Sequence, residues 1–143
     1  MVNRYKSALN EVFEFEELDK DLRIQVRTFV TVFRIVVRSV MAGGRYPSTI
    51  FSKKKELRKD IFDIVRKYSC FINAHECLKC GTTFSGPKTA SRHLKNAHGT
   101  ELVQDIIAVL KKHGYLDENG ERFLRERLLN NPKNITKIPT YRP

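Results

Sequence analysis

Four residues of the metal-ligand type crowd into one short stretch of this chain. Cys77 and Cys80 are separated by two residues, twelve residues lead on to His93, and four more lead to His98. No other feature so tightly limits what the local backbone can do. Two thiolates and two imidazoles at these intervals suit zinc, which has no geometric preference of its own and accepts them in a tetrahedron. The two-residue loop turns both sulfurs toward one point. His93 and His98 are five apart on a predicted helix and share a face if its last turn tightens or frays. Protein donors fill all four positions, so the spacing predicts one structural Zn2+ and leaves no place for a substrate or water. The competing readings are a disulfide between the two thiols, or a chance coincidence of common ligand types.

Residues 77–98 resemble a two-cysteine, two-histidine zinc finger. Phe84 stands where that family places its core aromatic, Ser85-Gly86-Pro87 opens the helix, and Gly99 follows the last ligand. Proline suits the first turn of a helix because it has no N–H to lose there, and glycine suits a helix end. The resemblance covers 22 of 143 residues. Two family positions differ. His75 replaces the aromatic before the first cysteine, and Ala90 replaces a leucine on the helix. Each missing large side chain removes on the order of 2 kcal/mol of burial. The finger is therefore expected to dock on neighbouring helices, with Phe71, Ile72, Leu102 or Val103 compensating. The resemblance also implies that the helix enters the major groove of duplex DNA. Gly86, Thr89 and Arg92 would then face the bases, with Lys88 beside them. Arg92 could donate two hydrogen bonds to a guanine. Lys88, Arg92 and Lys95 recur at i, i+4 and i+7 as one basic face.

One finger spans about three base pairs, so further contacts are needed, and the charge distribution suggests where. The chain carries +11 overall, with −3 over residues 1–21 and hence +14 over residues 22–143. Such an excess favours a polyanion, because each neutralised phosphate releases condensed counterions. Arg23, Arg27, Arg34 and Arg38 form one stripe on a predicted helix, within about 60° of one another. The stripe contains no acid. It reads as a solvated face, a phosphate track or a seat for the acidic N-terminal segment. Lys53, Lys54 and Lys55 are predicted in the first turn of the next helix, where positive charge opposes the macrodipole. A bound anion would compensate; a solvated lysine cluster is the bland alternative.

Periodicity predicts a mainly α protein, a small helical bundle with an embedded ββα zinc finger. Helices are predicted over 7–19, 21–41, 52–71 with Ser52 as cap, 101–113 capped by Thr100, and 121–129. Gly43-Gly44-Arg45-Tyr46-Pro47 is a break, and Asp117-Glu118-Asn119-Gly120 is a turn. The expected organisation is an N-terminal helical region (1–72), the finger (73–99), C-terminal helices (100–129) and a basic, flexible tail (130–143). Of the three cysteines, Cys70 is left over and reads as a small buried apolar residue. That usage fits an intracellular, reducing compartment rather than a disulfide framework, and no transmembrane span is visible. High charge and many Lys, Arg, Ile and Val residues lean toward a thermophile. With a lone finger in a small basic chain, this resembles the small zinc-finger proteins of hyperthermophilic archaeal viruses, for which the compartment would be the host cytoplasm.

The function expected from these features is a zinc-stabilised duplex-DNA-binding transcription regulator. Two other readings compete with it. One is a protein-interaction module that docks on the transcription machinery, with zinc as a staple. The other is a nucleic-acid packaging protein without sequence preference. A homodimer through the long apolar helices is compatible with the sequence. No membrane or small-molecule partner is expected. Catalysis is not expected either, since no nucleophile–base pair, phosphate-cradling glycine loop or carboxylate dyad stands out. Asp60, Asp63 and His113 read as ordinary helix charges.

Overall fold

The structure, a computed structural model, describes residues 4–46 and 51–140. Pro47 of the predicted break, and Tyr141, Arg142 and Pro143 of the predicted tail, lie outside the described residues. The architecture is mainly α, as the periodicity predicts. It comprises α1 (Arg4–Phe13), α2 (Lys20–Met41), α3 (Lys55–Ser69), β1 (Glu76–Cys77), β2 (Thr82–Thr83), α4 (Pro87–Ala97), α5 (Gly99–Lys112), α6 (Glu118–Leu124) and α7 (Lys133–Lys137). A 3-10 turn, Phe15–Glu17, follows α1, and a π turn, Arg125–Leu129, follows α6.

The centre is α2. Asp19 caps it by accepting from the Leu22 N–H at 2.8 Å, satisfying one of the four orphan donors of the first turn. Val26, Phe29, Val30, Phe33, Val36, Val37 and Val40 are fully buried along its apolar side. α3, α4, α5 and α6 all pack on it. Each fully buried side chain of this size contributes roughly 1.5–3 kcal/mol of transfer free energy, which outweighs the lower helix propensity of β-branched residues. The helix ends where Gly43 and Gly44 take φ of 75° and 84°. That left-handed geometry turns the Gly44 N–H back onto the Ser39 carbonyl at 2.9 Å.

Helix boundaries differ from the sequence expectation where local chemistry intervenes. The first predicted helix stops at Phe13, because Glu14 takes a left-handed φ of 51°. α3 begins at Lys55 with Lys54 as its capping residue. Ser52 is therefore not the cap, and Lys53 and Lys54 precede the helix rather than fill its first turn. α5 begins at Gly99, so Thr100 lies inside it. α6 begins at Glu118 instead of 121, because Asp117 accepts from the Gly120 N–H at 2.8 Å and acts as cap. Gln25 of α2 clamps that cap. It donates from Nε2 to Asp117 Oδ2 at 3.2 Å and accepts from the Asp117 N–H at 3.0 Å.

Two expectations are corrected outright. The basic tail, expected as flexible chain, is folded over its described part. α7 forms, and Ile135, Ile138 and Thr140 are almost fully buried. The tail's apolar residues are few, but they close over apolar surface left open on α4 and α5, and burial repays the ordering entropy. Cys70, expected inside, is exposed at the C-cap of α3. Five apolar residues of α3, Leu57, Ile61, Ile64, Val65 and Tyr68, take the buried side, and Cys70 falls on the opposite one.

Candidate metal centre and nucleic-acid interface

The hairpin that carries the thiols is short. Glu76 pairs with Thr83 and Cys77 with Thr82 in an antiparallel register. Its stability comes from outside. Cys77 forms a further bridge with Ile72, and the Leu78 N–H donates to the Phe71 carbonyl at 2.7 Å. The hairpin thus extends directly from the end of α3. Gly81, at φ 70°, closes the turn, with its N–H on the Cys77 carbonyl at 2.8 Å. Pro87 opens α4, as expected. α4 ends at Ala97, and His98 leaves the helix at φ −124° as its cap. That departure answers the five-residue spacing, because it lets His98 swing back beside His93.

Cys77, Cys80, His93 and His98 converge, their donor atoms all within 4.8 Å of one another. His98 Nε2 lies 3.5 Å from Cys77 Sγ and 3.6 Å from Cys80 Sγ. An ion held tetrahedrally at ordinary thiolate and imidazole distances requires sulfur–nitrogen separations of about 3.5 Å. The His93 Nε2 is buried without a hydrogen-bond partner. Such an atom costs free energy unless something occupies its lone pair or takes its proton. The four donors therefore fit one metal ion. The Cys80 thiol is pushed up, first by its hydrogen bond with Cys77 and then by burial. His98 is pushed down, first by burial and then by His93 and Lys79. A neutral His98 keeps the lone pair that a metal needs, and a cation at the centre would reverse the penalty on thiolates.

The missing finger core is replaced by aromatic and aliphatic neighbours. Phe84 lies 5.3 Å from the His93 ring, and Phe71 meets the His98 ring edge-on at 5.1 Å. Ala90 and Leu94 are fully buried, and α4 packs on α2, α5 and α7. The finger is therefore docked, as the two departures from the family pattern imply. Gly99 permits a close approach of α7. A Cβ there would lie 2.8 Å from Ile135 Cγ2 of α7.

The structure sorts the predicted DNA-contact residues into three groups. Lys88, Thr89 and Arg92 lie exposed on α4, with Ser85 Oγ and Thr89 Oγ1 in mutual contact at 3.0 Å. Asn96, one turn beyond Arg92, is also exposed on this face; its i+4 spacing was the signal available in the sequence. Lys95 is a correction. Only 9% of it is exposed, and its Nζ donates to the Ile138 carbonyl at 3.0 Å. Burial, assisted by Arg92, lowers its pKa to about 8. It braces the C-terminal segment and does not face outward with Lys88 and Arg92.

The arginine stripe is divided. Arg23 donates to the Leu18 carbonyl at 2.8 Å, and Phe15 lies under both Arg23 and Arg27, at 5.9 and 5.5 Å. Arg34 stacks on Tyr5 at 4.7 Å. The N-terminal segment thus sits on the stripe through aromatic rings rather than through its carboxylates. Its acids reach the C-terminal region instead, Glu11 to Lys137 at 3.0 Å and Glu14 to Arg127 at 3.4 Å. Arg27 and Arg38 keep exposed side chains. All three lysines are exposed, and Lys54 also hydrogen-bonds the Tyr115 hydroxyl and lies over its ring.

No family model, curated protein or solved structure matches the chain. Among the described residues, no helix is long and apolar enough to cross a membrane.

Proposed function

We propose that this protein is a zinc-stapled reader of duplex DNA, acting as a transcription regulator. Zinc is the ion that two thiolates and two imidazoles in a closed tetrahedron favour. When bound, it supplies structure and no reactive position. Cys77, Cys80, His93 and His98 hold it, and the fixed angle between the hairpin and α4 follows.

The observation that carries this reading is the polarity of α4. Ala90, Leu94 and Lys95 point into the protein, while Lys88, Thr89 and Arg92 are exposed together on the other side. A helix locked from behind presents its outer side chains with little conformational entropy left to lose. Arg92 matches the two acceptors of a guanine edge, and Thr89 accommodates several bases. The test is selection from a randomised duplex pool by the zinc-loaded protein, at physiological salt with excess nonspecific competitor. Enrichment of a short motif is the expected result. Tight, steeply salt-dependent binding without enrichment would indicate packaging instead.

A second reading has an observation of its own. Leu78, at the tip of the zinc loop, is 63% exposed. A large apolar side chain held out on a rigid loop suits a protein partner. Negligible DNA binding, with capture of a component of the transcription machinery that Leu78→Ser abolishes, would establish the docking module in place of the DNA reader.

A further inference from the structure

The outer face of α3, of which the sequence singles out Lys55 alone, is an ordered cationic surface. Lys55, Lys59, Phe62 and Arg66 lie within about 60° of one another around the helix and span roughly 16 Å along it. The three bases are exposed, and Phe62 is half-buried between them. The helix is electrically sorted. Its acids Asp60 and Asp63 border the groove toward α5, where Asp60 takes Lys112 at 3.0 Å and His113 at 2.7 Å. Among the described residues, no ion pair engages Lys55, Lys59 or Arg66.

Aromatic rings hold the guanidiniums in place. Arg66 lies over the Phe62 ring at 5.7 Å, Phe62 packs on Tyr46 at 5.8 Å, and Arg58 lies over Tyr46 at 5.0 Å. The result is a ladder of cation, ring, ring and cation across the α2–α3 corner. An arginine stacked on a ring keeps its planar N–H edge outward and loses less entropy on meeting a phosphate than a free side chain does. At the far end α3 runs into the finger, where Lys79 of the zinc loop lies over Phe71 at 4.2 Å. The same pairing of cation and ring therefore recurs beside the metal centre.

We propose that this face of α3 is a second nucleic-acid contact, which grips the sugar–phosphate backbone of the duplex read by α4. Lys55, Lys59 and Arg66 contact phosphates, and Phe62 and Tyr46 fix the ladder. The proposal rests on the duplex-DNA reading. It also supplies what a single finger lacks, since three base pairs of readout do not give specific affinity.

The test is a salt series of duplex-binding titrations on the zinc-loaded full chain, using the motif-bearing duplex and a scrambled one. Lys59→Gln/Arg66→Gln should weaken binding to both duplexes equally and reduce the log–log salt slope by about two, about one for each phosphate that the variant no longer neutralises. Lys55→Gln/Lys59→Gln, which leaves the Phe62 stack untouched, should do the same. Lys112→Gln removes a cation already paired with Asp60 and should leave the slope unchanged. Wild-type slope and affinity in both double variants, with wild-type melting, would overturn the α3 contact and leave the α4 reading standing. Failure of the wild-type protein to bind either duplex would overturn both.

Discussion

The long helix α2 and the finger helix α4 lie against one another and are specified in opposite ways. α2 has 22 residues, and its apolar side is buried from Val26 to Val40. α4 has 11 residues, and among its aliphatic side chains Ala90 and Leu94 are the buried ones. Burial of that size is small against the ordering cost of the 76–98 unit, so docking on the neighbouring helices and, on the proposed reading, an ion held by the four donors supply the rest. A helix whose apolar side is committed to the core serves the fold first. One fastened by four ligands and a few contacts can leave Lys88, Thr89 and Arg92 free.

The strongest way to break this contrast is Cys77→Ser or removal of the metal. In isolated finger peptides, structural zinc contributes on the order of 10 kcal/mol or more of folding free energy. Amide protection over 75–99 should vanish while that of α2 and α3 persists. Simultaneous loss of protection everywhere would show that the two helices form one cooperative unit. The converse is Phe33→Ala, which opens a cavity in the α2 core and should cost about 3–5 kcal/mol of global stability. Calorimetry should show the main transition falling even in the presence of excess zinc.

Gly99→Ala probes the seam between these regions. The added methyl meets Ile135, a β-branched side chain with little room to yield, so about 1–3 kcal/mol should be lost. Limited proteolysis should then cut first near residues 131–140. Arg92→Ala should leave melting unchanged and cost about 1–3 kcal/mol at one preferred base, relaxing selectivity there. An equal loss on every sequence would make Arg92 a phosphate contact.

The smallest effect concerns Lys95. Its pKa in the folded chain is about 8, against 10.5 for an ordinary lysine. Between those values the unfolded chain binds more protons, so this group makes stability rise with pH from about 8 to about 10.5. Below that window the burial cost is present in full. Lys95→Met should remove this rise, measured as the difference between the two proteins' denaturant midpoints across the range. Identical pH profiles would show that the ammonium is solvated.

Much of the fold and the metal site is legible from residues alone. The apolar sets of α2, α3 and α5 repeat at three- and four-residue steps, and all the residues so identified on α3 are buried. The ligands are legible because metal geometry is local, so that spacing along the chain nearly fixes spacing in space. Lys95 departs from its expected place because its i+3 and i+7 relation to Arg92 and Lys88 is blind to what lies against the helix. Cys70 does so because one small residue at a helix end has no period to betray its side. The ladder on α3 is invisible in the sequence because Tyr46 and Phe62 belong to different elements, and no local pattern pairs them.

Taken alone, then, the sequence determined the long helices, the metal-ligand set and the need for the finger to lean on its neighbours. Each depends on interactions within a few turns of chain, where periodicity and ligand spacing translate directly into geometry. Only the tertiary structure decided which cations remain available. It capped Arg23 and Arg34 with Phe15 and Tyr5, drew Lys95 onto the Ile138 carbonyl, and closed the tail over Gly99. A charge becomes recognition or support according to what packs beside it, and those neighbours come from segments 40 or more residues away along the chain in the case of Lys95 and Ile138.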